Sequence, residues 1–323
     1  MSIGKLADRL HLDRHHDVRQ NPALPITRQT VVGRAHDARL AFNRKPAMPP
    51  ADQKRFDRRS SKPAYRKPQR PQGAAAGFDD GIVRLYGVHP VEAALRNPAR
   101  TISKLMVTEN AERRLAEAIA ARGAKPEPVS PRELDRLLGE DTVHQGVMLE
   151  TEHLPEPELA DLAELACVGG PIVVLDQVTD PHNAGAVIRS AAVFGASGVI
   201  MTRRHSPPLN GTLAKSASGA LEVVPIVMTQ NLARALIELK ASGVRVIGLD
   251  GEGETLIDDQ PFDGPVAIVL GAEGKGLRQL TRETCDVICR IAAPGPIDSL
   301  NVSNAAAVTL HLAAMRRRAA MAC

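Results

Sequence analysis

The feature that most constrains this chain is a series of short, uninterrupted aliphatic runs in its C-terminal half. PIVVLD at 171–176 leads into a helical segment, AGAVIRSAAVFGA, and then GVIMT. After a polar loop come LEVVPIV, a helix over 231–241, and VRVIGLD. A strand over 265–270 then runs into Gly271, VICRI occupies 287–291, and a last helix begins at Val302. A strand with one wet face alternates apolar and polar residues, whereas a continuous Val/Ile/Leu run is covered on both sides. Such runs separated by helices predict an α/β domain over 171–323, a parallel sheet with helices on both faces. Ligands of such sheets bind beyond the carboxyl ends of the strands.

Upstream, residues 81–153 read as a smaller α/β unit. It has a strand at 102–108, a helix at 111–122, an extended piece at 126–129, a helix from Pro131 to Leu138 capped by Ser130, and a strand at 146–151. About 70 residues are few to hold a cofactor and a substrate site together. A linker over 154–170, which begins LPEPELADL, joins the two. Residues 1–80 carry eight prolines, 17 Lys+Arg and eight Asp+Glu, a net charge of +9. The rest of the chain carries 24 and 29, a net of −5. Without a sustained apolar period the first 80 residues read as a disordered basic extension, suited to reach a polyanion.

Composition narrows the function further. Hydrophobic residues make up 43 % but aromatics only 2 %, with no Trp, so the core is aliphatic and base stacking on exposed rings is disfavoured. Cys167, Cys285, Cys289 and Cys323 are too scattered for a disulfide framework or a zinc set, so no metal is expected. No apolar run is long enough to span a membrane, and the expectation is a cytoplasmic protein.

Three segments at strand ends carry candidate chemistry. In the first, Asp176 ends a strand, Asp180-Pro181 turns the chain, and Asn183 and Arg189 lie on the following helix. In the second, LGAEGKGL, Gly276 stands where a phosphate loop needs Ser or Thr after Lys275, so a nucleotide-binding P-loop is disfavoured. In the third, SLNVS places Ser299, Asn301 and Ser303 beside a helix N-terminus, whose free amides attract a carboxylate. Lys215, Ser216 and Ser218 are read as a polar loop that could touch RNA.

Together these stretches, in this order, resemble the motifs of the SpoU/TrmH family of RNA 2′-O-ribose methyltransferases, within the SPOUT class. LYGVHPVEAAL and HQGVMLE are similar to that family's ribosomal-protein-like RNA-binding domain. The likeness covers about residues 84–318 and is greatest to members that methylate a guanosine of large-subunit ribosomal RNA. It implies a C-terminal trefoil knot, a homodimer, and S-adenosylmethionine as methyl donor. Leu270, Gly271, Ile291, Leu300 and Ser303 would then line the donor pocket, and Asn183, Arg189, Glu273, Ser299 and Asn301 would surround the reacting centre. The chain departs from the family at Ala292-Ala293, where Pro-Met is usual, and adds Pro294 and Pro296. A guanidinium is a poor base, so Arg189 is expected to organise a phosphate or stabilise a developing alkoxide. The competing expectations are a tRNA ribose methyltransferase with the same site and a non-catalytic RNA-binding ribosome-assembly factor.

Overall fold

The computed structural model describes residues 81–297 and 299–321; the basic extension over 1–80 lies outside the described residues. The smaller unit contains β1 (Ile82–Tyr86), α1 (Val88–Arg96), β2 (Ile102–Val107), α2 (Glu109–Arg122), β3 (Pro126–Pro128), α3 (Pro131–Leu138) and β4 (Val147–Glu152). Its sheet has the order β1-β4-β2-β3, with β4 antiparallel to both neighbours and β3 parallel to β2. Within the stretch read as a linker, Leu159–Val168 form helix α4. The prolines at 155 and 157 mark only its approach; Leu162, Ala163 and Ala166 form a buried stripe at helical spacing that packs on the larger sheet.

The larger unit continues with β5 (Ile172–Asp176), α5 (Pro181–Val193), β6 (Gly198–Thr202), α6 (Gly211–Ala217), β7 (Ile226–Thr229) and α7 (Leu232–Ala241). It closes with β8 (Arg245–Leu249), β9 (Thr255–Leu256), β10 (Val266–Gly271), α8 (Gln279–Thr284), β11 (Val287–Arg290) and α9 (Val302–Met321). The seven strands lie in the order β7-β6-β5-β10-β8-β11-β9, and every adjacent pair is parallel.

Side chains two apart on a strand point the same way, and this period sorts the aliphatic runs onto two faces. Val173, Leu175, Val199, Met201, Ile268 and Leu270 join one core with Val187 and Ile188 of α5 and Ala306 and Leu310 of α9. Ile172, Val174, Ile200, Ala267 and Val269 join the other, with Leu162 of α4 and Leu236 and Leu239 of α7. The consecutive runs therefore reflect burial on both sides of one sheet.

Two sequence expectations are corrected. LEVVPIV is not a strand throughout: Ala220–Glu222 form a 3-10 turn and β7 starts only at Ile226, after Pro225, which has no N–H for a ladder. Leu221 and Val224 are apolar because they plug the core, not because they pair. The polar loop after β6 contains helix α6, so Lys215 and Ser216 are helical and Ser218 is its left-handed C-cap.

The two units share one continuous core, in which Leu85, Val107 and Leu149 belong with Leu213 and Ala217. A polar socket fixes them further. Glu222 accepts from Asn97 Nδ2 at 2.8 Å and from Arg100 Nε and Nη2 at 3.1 and 2.6 Å. Arg100 Nη1 donates onward to the Glu152 carbonyl at 2.8 Å. Both charged side chains are about 95 % buried, so each depends on the other for solvation. Glu222→Ala leaves the Arg100 charge buried and unpaired, and is expected to cost about 3 kcal/mol in urea unfolding. Replacing both partners by Leu and Met should recover most of that loss.

Candidate active site

Strands β5 and β10 are neighbours in the middle of the sheet, and their pairing ends with Asp176 opposite Gly271. Asp176 has a wholly buried side chain. Its carboxylate accepts from the backbone N–H of Arg278 at 3.0 Å and from Arg278 Nε at 2.6 Å. This clamp closes the segment 271–278 back onto the strand it left. Inside it, Ala272 and Gly276 exchange backbone hydrogen bonds at 3.1 and 2.9 Å, and Gly274 and Gly276 take positive φ. LGAEGKGL is thus a tight hairpin with Glu273 near its tip. Gly271 is required by close approach: a Cβ there would lie 2.2 Å from the Gly276 carbonyl carbon.

Asn183 stands in the first turn of α5. The N-cap is Asp180, whose carboxylate accepts from the His182 amide at 2.9 Å, so the Asn183 side chain is free for other contacts. Its Nδ2 donates to Glu273 Oε1 at 3.0 Å. Asn301, reached through the loop after β11, donates from Nδ2 to Glu273 Oε1 at 2.5 Å and to Asn183 Oδ1 at 3.0 Å. Its own Oδ1 accepts from the Ser303 amide at 2.9 Å and hydroxyl at 2.6 Å, which caps α9. Three loops, from β5, β10 and β11, are therefore joined by one triangle of side chains. The first turns of two helices meet at the Glu273 carboxylate, where their free N–H groups favour negative charge.

The remaining expected residues fall elsewhere. Arg189 lies six positions beyond Asn183, roughly 9 Å along the helix. It is exposed and donates from Nη1 to Ser218 Oγ at 3.4 Å. Ser299 is exposed and has no hydrogen-bond partner among the described residues. Leu270 is buried in the core at the end of β10, with Gly271 at the strand terminus. Ile291 packs partly against the same core. Leu300, at 50 % exposure, and Ile297, at 73 %, present apolar side chains from the loop 292–301. Sequence reasoning missed Arg278, the partner of Asp176, and Arg282, which donates to Asp250 at 2.5 Å. The one sequence signal for the first was a carboxylate at the end of a fully apolar run.

Neither cysteine near the site is poised for chemistry. Burial pushes the Cys285 thiol up to about 12, and Cys289 is also raised by burial in the core. Among the described residues no His/Cys/Asp/Glu group is arranged to hold a metal, and no helix is long and apolar enough to cross a membrane.

The model of the SpoU rRNA methylase family matches residues 170–311, and that of the RNA 2′-O ribose methyltransferase substrate-binding domain matches 84–157. The chain is 43 % identical to the 23S rRNA (guanosine-2′-O-)-methyltransferase RlmB of Ralstonia nicotianae, over 72 % of this chain and 95 % of that protein. The chain belongs to the SpoU family. The RlmB protein of Pseudomonas putida is 39 % identical over 73 % of this chain and 98 % of its own length. Among solved structures, the SpoU methyltransferase AviRb from Streptomyces viridochromogenes in complex with AdoMet superposes with a TM-score of 0.63, at 23 % identity over 75 % of this chain and 95 % of that one. An AdoMet-bound rRNA methyltransferase from Sinorhizobium meliloti gives 0.60, at 24 % identity over 72 % of this chain and 87 % of that one. These structural likenesses are of fold.

Asn301→Asp tests the triangle. The variant keeps the acceptor that caps α9 but sets a second carboxylate against Glu273. Like charges at this distance raise a carboxyl pKa in the folded state. Stability is then retained below the ordinary carboxylate range and lost as pH rises through the raised value. The melting temperature should match the parent near pH 4 and fall below it by about pH 7. An unchanged difference across that range would refute the contact.

Proposed function

We propose that this chain transfers a methyl group from S-adenosylmethionine to the 2′-hydroxyl of a guanosine ribose in 23S ribosomal RNA. The observation that carries the reading is the triangle of Asn183, Glu273 and Asn301, assembled from three separate loops in a chain 43 % identical to a protein of that activity over 95 % of that protein's length.

The donor would lie against Leu270, Gly271, Ile291, Leu300 and Ser303. The fit is supported by Leu300 and Ile297, large apolar side chains exposed beside strand ends where an adenine ring can be covered. Bound S-adenosylmethionine supplies a methyl group already activated on a sulfonium. What the chain's own residues contribute is alignment and proton management. Glu273 already accepts two amide N–H groups on Oε1, which suits it to hold Asn183 and Asn301 in place. Asn183 then orients the ribose, Ser299 contributes a free hydroxyl to the pocket rim, and Arg189 stabilises the alkoxide or holds the RNA phosphate. Alignment of this kind contributes several kcal/mol to a transfer reaction, of order ~7 in favourable cases.

The finer architecture belongs to the same proposal. A trefoil knot is supported by β10 lying between β5 and β8, and by α9 packing back on α5. A homodimer is supported by Val193 of α5 and Val308 and Met315 of α9, all exposed on elements that pack together. The 81–153 unit delivers the RNA, the 1–80 extension tethers it, and the protein works in the cytoplasm.

The decisive experiment maps ribose methylation in RNA from cells lacking the gene after incubation with protein and labelled donor. One new 2′-O-methylguanosine in 23S rRNA is expected. Arg189→Ala should lower turnover by about a hundredfold or more with donor affinity little changed. A tRNA product would reassign the substrate, and donor binding without transfer to any RNA would favour an assembly factor.

A further inference from the structure

Arg189 is a long, exposed side chain on a helix surface, and such a group has many rotamers. Its position is set by what lies beside it. Gly185, one turn earlier on α5, has no room for a side chain: a Cβ there would lie 2.7 Å from the Leu213 carbonyl oxygen and 3.0 Å from the Ala217 amide nitrogen. Helices α5 and α6 therefore meet backbone to backbone at that point. A second contact, His182 Nδ1 with Ser216 Oγ at 3.1 Å, holds the same pair of helices near the triangle. One turn beyond Gly185, this contact brings the C-cap of α6, Ser218, to the Arg189 guanidinium.

Ser218 is an unusual residue for its place. Its φ of +51° lies in the left-handed region, where Gly or Asn is preferred at a helix C-cap. Serine is not favoured by that backbone conformation. Its hydroxyl, however, is used in both directions: it donates to the Lys215 carbonyl at 3.5 Å and accepts from Arg189 Nη1 at 3.4 Å. A hydroxyl has one proton to give, so with that proton turned to Lys215 the oxygen faces Arg189 as an acceptor.

Helix α6 also meets the substrate-binding unit. Tyr86 and Thr212 hydroxyls lie 2.8 Å apart, and Lys215 Nζ donates to the Val143 carbonyl at 2.6 Å. Lys215 and Ser216 are thus occupied within the protein, and Ser218 faces Arg189. We infer that Ser218 is a positioning residue for Arg189, and that α6 carries the placement of the substrate-binding unit to that arginine. This rests on the reading of Arg189 as catalytic.

Ser218→Gly removes the hydroxyl while relieving the backbone, so the variant should fold with an unchanged or higher melting temperature. Its kcat is expected to fall about fivefold to tenfold, with KM for RNA and for donor nearly constant. Ser218→Asn, which tolerates the left-handed conformation and restores an acceptor, should recover most of the rate. In an Arg189→Ala background, Ser218→Gly should change the residual rate no further. A Ser218→Gly enzyme as active as the parent, beside an inactive Arg189→Ala, overturns the positioning role alone. A rise in RNA KM at constant kcat makes Ser218 an RNA contact and overturns it as well. An Arg189→Ala enzyme as active as the parent removes the catalytic reading and this inference with it.

Discussion

The pairing of β5 with β10, ended by the buried Asp176–Arg278 clamp, is the constraint on which the rest of the site depends. The two strands are almost a hundred residues apart in sequence. Their parallel register sets the loops after them at one level. Asp176, fully buried, has its carboxylate satisfied by the side chain and the backbone amide of Arg278. The clamp therefore does two things with one carboxylate: it satisfies the end of the central strand and it fixes the base of the Glu273 hairpin. The triangle with Asn183 and Asn301 is built on that base.

Much of the larger unit was legible because double-sided burial leaves an unmistakable trace. Of six aliphatic runs, five are strands and the sixth becomes one only from Ile226, and the helices between them follow apolar spacing. What stayed hidden had a different physical origin. Helix α4 was masked by prolines nearby, although its Leu162-Ala163-Ala166 stripe was visible at the correct period. Helix α6 is short and polar, and it is held by Gly185 of another helix and by the substrate-binding unit rather than by its own propensity. Val224 misread as a strand residue because burial alone does not distinguish a plug from a ladder. Strand order, with β10 between β5 and β8, has no local signature at all.

The site divides in the same way. Asn183, Glu273 and Asn301 were singled out by motif and do come together. Their mutual hydrogen bonds show what the motif itself does not, that Glu273 is held by two amide donors from distant loops. Arg189 follows Asn183 on α5, yet it turns to Ser218. A spacing of six residues is 600° of rotation, so the two side chains stand about 120° apart on the helix. The triangle and the arginine are two separate groups, and a reactive atom between them would be approached from different directions. That separation suits a reaction in which one group orients an acceptor and another meets the charge that develops on it.

The scarcity of aromatic side chains bears on how RNA would be read. Among the described residues the aromatic rings are Tyr86, Phe194 and Phe262. Tyr86 is committed to Thr212, Phe194 packs against His311 with ring centroids 5.6 Å apart, and Phe262 is buried. None is left to stack on a splayed base, the usual device for reading single-stranded RNA. Recognition by the described residues then rests on backbone contacts and on shape, which constrain the whole RNA fold more than any one base. A rigid attachment of the substrate-binding unit has value under those conditions, because an RNA gripped by its shape is delivered only as accurately as the gripping unit is placed. The buried Glu222 socket and the shared core supply that rigidity. Specificity for one ribose would thus be set by the distance between two surfaces of one body.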